Sequence, residues 1–284
     1  MQCWLDGKYY FVNDPIFTLD DWRNAFQVGF TFSVRAYGCS VPYFGLYYEH
    51  LLQSLELAKF PDFAFLSEEL LRKTMTDLLQ KNRYHRNAFV RFSIFIRYYD
   101  DVFGESRPTT SLLIEALPLE GQFFDPQIAP AKLISYRRDL RVPKENTALR
   151  WLADPLVWGC EMMSKRLACT DGVLYNTSER IVQTSQRDLY CLNNNTITTP
   201  PLSEGLALDP FREILQILAR QVGYGFEMKP LGVDYVLHSQ ELFLGSSRYG
   251  IEPVISFDGT YYSMNRTREL IPHLNRILFP EYCA

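Results

Sequence analysis

"TPPLSEGLALDPFREIL", residues 199–215, places a double proline, a glycine and an Asp-Pro pair directly ahead of an apolar-periodic run. Phe211, Ile214, Leu215 and Leu218 fall at i, i+3, i+4 and i+7, the spacing that puts four apolar side chains on one face of a helix. The pattern predicts a buried helix that begins at Pro210 and stops near Gly223. Its mouth has the outline of an anion site, because the first N–H groups of a helix are free and the dipole is positive there. Asp209 sets a carboxylate at that spot, and Pro210 brings no N–H. The pair therefore predicts a helix capped by the protein's own carboxylate, with only the shape of a cradle retained.

Working outward, short strands precede this stretch in "DGVLYN", "RDLYCLN" and "TITTP", the last two joined by an asparagine turn. Further strands follow it in "ELFLGSS" and "EPVISFDGTYYSM", the second folded at Asp258-Gly259. "DPLVWGCEMMSKRL" opens a helix with Asp154 as cap and Pro155 at the first helical position. Nearer the N-terminus, "LDGKYYFV" and "FTFSVRAYG" carry the β-branched and aromatic residues of strands. In "NAFVRFSIFIRYY", Val90, Phe92, Ile94, Ile96 and Tyr98 alternate with Arg91, Ser93 and Arg97, the period of a sheet with one buried face. Between these lies a helix capped by Ser67, with Glu68 and Glu69 at its positive end and an apolar stripe of Leu70, Leu71, Met75, Leu78 and Leu79. The polar, proline-containing stretch at 117–132 breaks the pattern. Mixed strands and helices without a βαβ rhythm give two α+β domains, 1–120 and 121–284.

With 284 residues, 47% of them hydrophobic, the chain fills a core of that size. Lys and Arg number 29 against 33 acidic residues, and no basic run interleaves with aromatics, which excludes a nucleic-acid groove. There is neither a secretion signal nor a stretch of the roughly 18 apolar residues a membrane span needs, so the protein reads as cytoplasmic, with no membrane partner. The six cysteines, Cys3, Cys39, Cys160, Cys169, Cys191 and Cys283, form no CxxC pair and read as buried free thiols. The four histidines lie far apart, so no metal site is expected.

Three segments, in order, give the chain a resemblance to a known family. Residues 4–60, from "WLDGKYYFV" to "HLLQSLELAKF", resemble an opening in which an NGK turn leads to a GDGVFETIR strand and an H-x-x-R-L helix. "TTPPLSEGLALDPFREIL" is similar, without a gap, to TP-x-L-x-x-G-I-L-x-G-I-T-R. "QELFLGSSRYGIEPVISFDG" is similar to D-E-V-F-x-T-G-T-x-x-x-I-x-P-V-x-x-x-D-G, again ungapped. These are motifs of the fold-type IV pyridoxal-phosphate enzymes, the class IV aminotransferases that include branched-chain and D-amino-acid aminotransferases and aminodeoxychorismate lyase. The resemblance implies a two-domain α+β architecture like that of D-amino-acid aminotransferase, a cofactor held between the domains, a Schiff-base lysine and a homodimer.

At the positions that carry the chemistry, this sequence differs from what the resemblance implies. The Schiff-base lysine corresponds to Arg150 in "ALRWLADPLVWG", and a guanidinium cannot deprotonate to attack an aldehyde. The glutamate that keeps the cofactor's ring nitrogen protonated corresponds to Gln183, an amide without charge. At the phosphate, the arginine corresponds to Gln53, and the glycine, isoleucine and threonine of the helix mouth correspond to Asp209, Pro210 and Phe211. Ser247, matching the second threonine of T-G-T, keeps a phosphate-type hydroxyl.

Each position also has a structural reading. Arg150 is a clamp for a ligand's carboxylate or phosphate, or else an interdomain ion pair with Asp209 or Asp154. Gln183 and Gln53 fill a shrunken pocket, Ser247 is a turn residue, and His50 is a structural histidine. The expectation is a diverged homologue without pyridoxal-phosphate catalysis and without a cofactor, binding a small anionic ligand or a protein partner in the former cleft between the domains. The alternative is an active aminotransferase or lyase of amino-acid metabolism in which Lys144, six residues before Arg150, supplies the amine. A purely structural or assembly role is the third.

Overall fold

A computed structural model of the chain describes residues 1–17, 28–100, 105–121 and 123–280. Residues 18–27 of the family-like opening, and Cys283, lie outside the described residues. Two compact units emerge, Met1–Gln122 with Leu149–Ala153, and Phe123–Ala148 with Asp154–Ala284.

The first unit holds β1 (Gln2–Leu5), β2 (Lys8–Phe11), β3 (Gly29–Tyr37), α1 (Phe44–Leu57), α2 (Glu68–Lys81), β4 (Asn87–Asp100) and β5 (Ser106–Pro118). Its strands pair antiparallel in the order β2-β1-β5-β4-β3. α2 packs on β1 and β5, and α1 on β3. In β4, Val90, Phe92, Ile94 and Ile96 are buried as the alternation predicts. Phe89, Ser93 and Phe95 are buried too, so the middle of the strand has two covered faces rather than one. Tyr98, expected on the buried face, is 47% exposed. It lies near the C-terminal end of β4, and alternation alone cannot say where along a strand the cover ends.

α2 forms where capping and periodicity place it. Ser67 Oγ accepts from the Leu70 N–H at 3.2 Å, and Glu68 and Glu69 occupy the first turn. Leu71, Met75, Leu78 and Leu79 are buried; Thr74 completes the inner face, while Leu70 is only half-buried. Ser67→Ala is expected to lower the stability of the protein by about 1 kcal/mol through loss of the cap, read as a shifted urea midpoint with an unchanged slope.

The second unit holds β6 (Ala131–Arg141), α3 (Pro155–Arg166), β7 (Asp171–Asn176), β8 (Ile181–Thr184), β9 (Asp188–Asn193), β10 (Thr196–Thr199), α4 (Phe211–Gln221), β11 (Gly225–Met228), α5 (Val233–Leu237), β12 (Glu241–Ser246), β13 (Gly250–Phe257), β14 (Thr260–Tyr261) and α6 (Asn265–Leu278). One mixed sheet runs β11-β10-β9-β12-β13-β6-β7-β8, with β14 paired to β13. β6 lies parallel to both β13 and β7, and β10 parallel to β11. Asp258-Gly259 turns β13 into β14 with both residues at positive φ, 47° and 83°, the conformation a two-residue hairpin needs. β7, β8 and β12 are buried along their whole length. That covering on both faces is why "IVQT" shows no alternation from which a strand could be read.

Cys3, Cys160 and Cys191 are buried free thiols, whereas Cys39 is exposed and Cys169 half-buried. The expectation of burial fails for these two because both lie outside helices and strands, just after β3 and α3. Burial pushes the Cys160 and Cys191 thiols up to about 12. No described helix is long and apolar enough to cross a membrane, and no group of His, Cys, Asp and Glu among the described residues could hold a metal ion.

Candidate functional site

The mouth of α4 is built by three segments of the second unit: the loop ending at Pro210, the helix itself, and the turn after β12. The helix starts at Phe211, one residue after the expected start, with Pro210 as its N-cap. Asp209 reaches over the proline. Its Oδ1 accepts from the Phe211 N–H at 3.0 Å and from the Ser247 hydroxyl at 2.5 Å, while its Oδ2 accepts from the Ser247 N–H at 3.3 Å. The Arg212 N–H is taken by the Asp209 carbonyl at 3.1 Å. Of the positions singled out in the sequence, Asp209, Pro210, Phe211 and Ser247 thus come together, and Ser247 does more than shape a turn. The Phe211 side chain is part of the buried core, 1% exposed.

Gln183, on β8, is 1% exposed, and its Oε1 accepts from the Ala207 N–H at 2.7 Å. An uncharged amide therefore holds the loop two residues ahead of Asp209. Beneath α4 lies a buried charge pair that sequence reasoning missed. Arg212 Nη2 donates to Asp188 Oδ2 at 3.0 Å and Nη1 to the Pro200 carbonyl at 2.7 Å, with Arg212 6% and Asp188 0% exposed. The hydroxyl of Tyr190 also donates to Asp188, and burial, then the nearby Asp188 charge, raise the Tyr190 pKa well above its ordinary value. The only sequence hint was an arginine one step from an apolar stripe, which normally marks a solvated flank.

In the first unit, residues 149–153 lie against β3. The Thr31 N–H donates to the Arg150 carbonyl and the Leu152 N–H to the Gly29 carbonyl, both at 2.8 Å, and Phe30 bridges Trp151. Arg150 is half-buried. Asp154, one of the acids considered as its partner, has both oxygens engaged within the second unit. Oδ1 caps α3 through the Leu156 and Val157 N–H groups, and Oδ2 accepts from Arg141 at 3.0 Å. Gln53 is exposed on α1; a position in the middle of a helix gives no warning of which way it faces. His50 lies half-buried on the same helix. Lys144 is exposed, and Thr147 Oγ1 donates to its carbonyl at 2.5 Å, ahead of the short 3-10 turn Glu145–Ala148. Sequence reading also passed over Arg35 of β3, whose Nε donates to Asn87 at 2.8 Å and whose pKa burial lowers to about 10.

Pyridoxal phosphate, which the family resemblance implies, does not suit the donors at the α4 mouth. A phosphate there needs free N–H and O–H groups. The Phe211 N–H and both donors of Ser247 are already directed at a carboxylate, whose own charge would repel a dianion.

The family model for amino-transferase class IV matches residues 31–257. Among solved structures, a branched-chain aminotransferase of Thermoproteus uzoniensis determined with norvaline is 19% identical, covers 99% of this chain and 95% of its own, and superposes with a TM-score of 0.81. A putative 4-amino-4-deoxychorismate lyase of Legionella pneumophila is 18% identical over 94% of this chain and 97% of its own, with a TM-score of 0.80. A branched-chain amino acid aminotransferase of Thermobaculum terrenum in its PLP form is 13% identical over 98% and 94%, with a TM-score of 0.85. No curated protein matches the chain. At these identities the solved structures establish the fold, and the family match spans most of the sequence. The chain belongs to the class IV amino-transferase family.

Proposed function

We propose that this protein is a class IV aminotransferase homologue that no longer carries out pyridoxal-phosphate catalysis and serves instead to bind a small anionic ligand or a protein partner, as a homodimer. One observation carries the reading. Arg150 stands where the sequence resemblance sets the family's lysine, in a stretch that two backbone hydrogen bonds pair with β3. A permanently protonated guanidinium supplies no amine there. Gln183 adds to this, since an amide brings no charge to hold a ring nitrogen protonated.

The expected result is that purified protein, incubated with pyridoxal phosphate and reduced with borohydride, yields no lysine peptide carrying a pyridoxyl group by mass spectrometry. A stoichiometric adduct, on Lys144 above all, would overturn the proposal and restore the active enzyme. Arg150→Lys alone is expected to give no measurable transamination, because Gln183 and Asp209 stay as they are. A screen of melting temperature against keto acids, amino acids and phosphate esters then separates a ligand-binding role from a purely structural one.

A further inference from the structure

We infer that Asp209 is a built-in oxyanion: its carboxylate takes the place of a bound phosphate at the α4 mouth and ties the turn after β12 to the helix, so the wild-type protein takes up no free oxyanion there, and removing the carboxylate opens a phosphate site. The inference rests on the reading of the chain as free of the family's cofactor, and names what replaced it.

The argument starts from the donors. Phe211 N–H, Ser247 N–H and Ser247 O–H converge on the Asp209 carboxylate, the serine from 38 residues along the chain, over distances of 2.5 to 3.3 Å. Three donors converging on two oxygens at a helix N-terminus make an environment for a planar or tetrahedral oxyanion, and the helix dipole adds to it. The same unit treats its other long helices alike. Asp154 receives the first N–H groups of α3, and Glu241 receives the Arg266 and Thr267 N–H groups and the Thr267 hydroxyl at the start of α6. At α4 the carboxylate belongs to the helix's own approach, while two of its three donors belong to a separate turn. Truncating that side chain therefore leaves three donors aimed at the place the carboxylate held, carried by the turn after β12 and by α4.

The test compares wild type, Asp209→Ala and Asp209→Asn by melting temperature in sodium phosphate against sodium chloride of equal ionic strength. Phosphate stabilises proteins generally by exclusion from their surface, and that part is common to all three. Asp209→Ala is expected to melt several degrees below wild type in chloride and to regain the loss saturably. At phosphate about a hundredfold above its Kd the gain is about 5–10 °C. Asp209→Asn keeps the space filled and the Oδ1 acceptor, and is expected to show only the common rise, as is the wild type. If Asp209→Ala does not fold in chloride, its refolding yield in phosphate is the readout, recovery supporting the inference and no recovery overturning it. A response of Asp209→Ala equal to that of Asp209→Asn overturns it, as does a saturable response of the wild type. Lysine trapping bears on the cofactor and phosphate titration on Asp209, so the failure of one is distinct from the failure of the other.

Discussion

Arg212→Leu lowers the stability of the protein by about 3–5 kcal/mol, the cost of leaving a buried acid without its cationic partner. Arg212 and Asp188 are both out of water, and the guanidinium also satisfies the Pro200 carbonyl. Leucine fills much of the space but neutralises nothing, so the Asp188 charge loses the interaction that offsets its desolvation. Burial is the largest single effect and works against the charge of Arg212, yet the charges and hydrogen bonds of Asp188 and Tyr190 together outweigh it and raise the Arg212 pKa above the ordinary value. A second variant, Arg212→Leu with Asp188→Asn, removes the charge together with its partner and is expected to recover part of the loss. Urea unfolding of wild type and the two variants measures this. Equal midpoints for wild type and Arg212→Leu would show that the pair carries no weight.

Phe211→Ala is expected to cost about 3–5 kcal/mol, the range for deleting a buried aromatic ring and leaving a cavity. The sequence resemblance matches the residue to a phosphate-site threonine, but its side chain belongs to the core. A Cβ placed on Gly245 would come within 3.2 Å of the Phe211 and Leu215 side chains and 2.7 Å of the Tyr190 ring. α4 therefore packs against β12 so closely that only glycine fits between them, and Tyr190 stacks on Phe243 at 4.9 Å beside it. The ring truncation is expected to lower the urea midpoint while leaving the absence of an oxyanion response at Asp209 unchanged, because that response depends on the Phe211 backbone N–H and not on its ring.

The elements that could be read in advance are those whose cause lies within a few residues. Ser67 and Asp154 cap helices through N–H groups two or three residues on. Asp258-Gly259 folds a hairpin on its own φ angles, and the spacing of Phe211, Ile214, Leu215 and Leu218 fixes the inner face of α4, where all four are buried. Three short motifs in unbroken order were enough to identify the family before any coordinate. The carboxylate at residue 209, followed by a residue without an N–H, was likewise visible as a cap.

What the chain alone could not decide concerns partners far apart in sequence. That Asp209 also holds Ser247, 38 residues later, depends on β12 being delivered beside β9 and α4. That Arg212 is buried, Tyr98 uncovered and Gln53 exposed depends on which faces are covered by distant segments, a matter of packing and not of periodicity. Local rules of spacing and capping thus determined the elements and the family. The long-range pairing of β6 with β13 and of β12 with β9 decided which polar groups meet, because burial and electrostatic complementarity exist only once those strands are side by side.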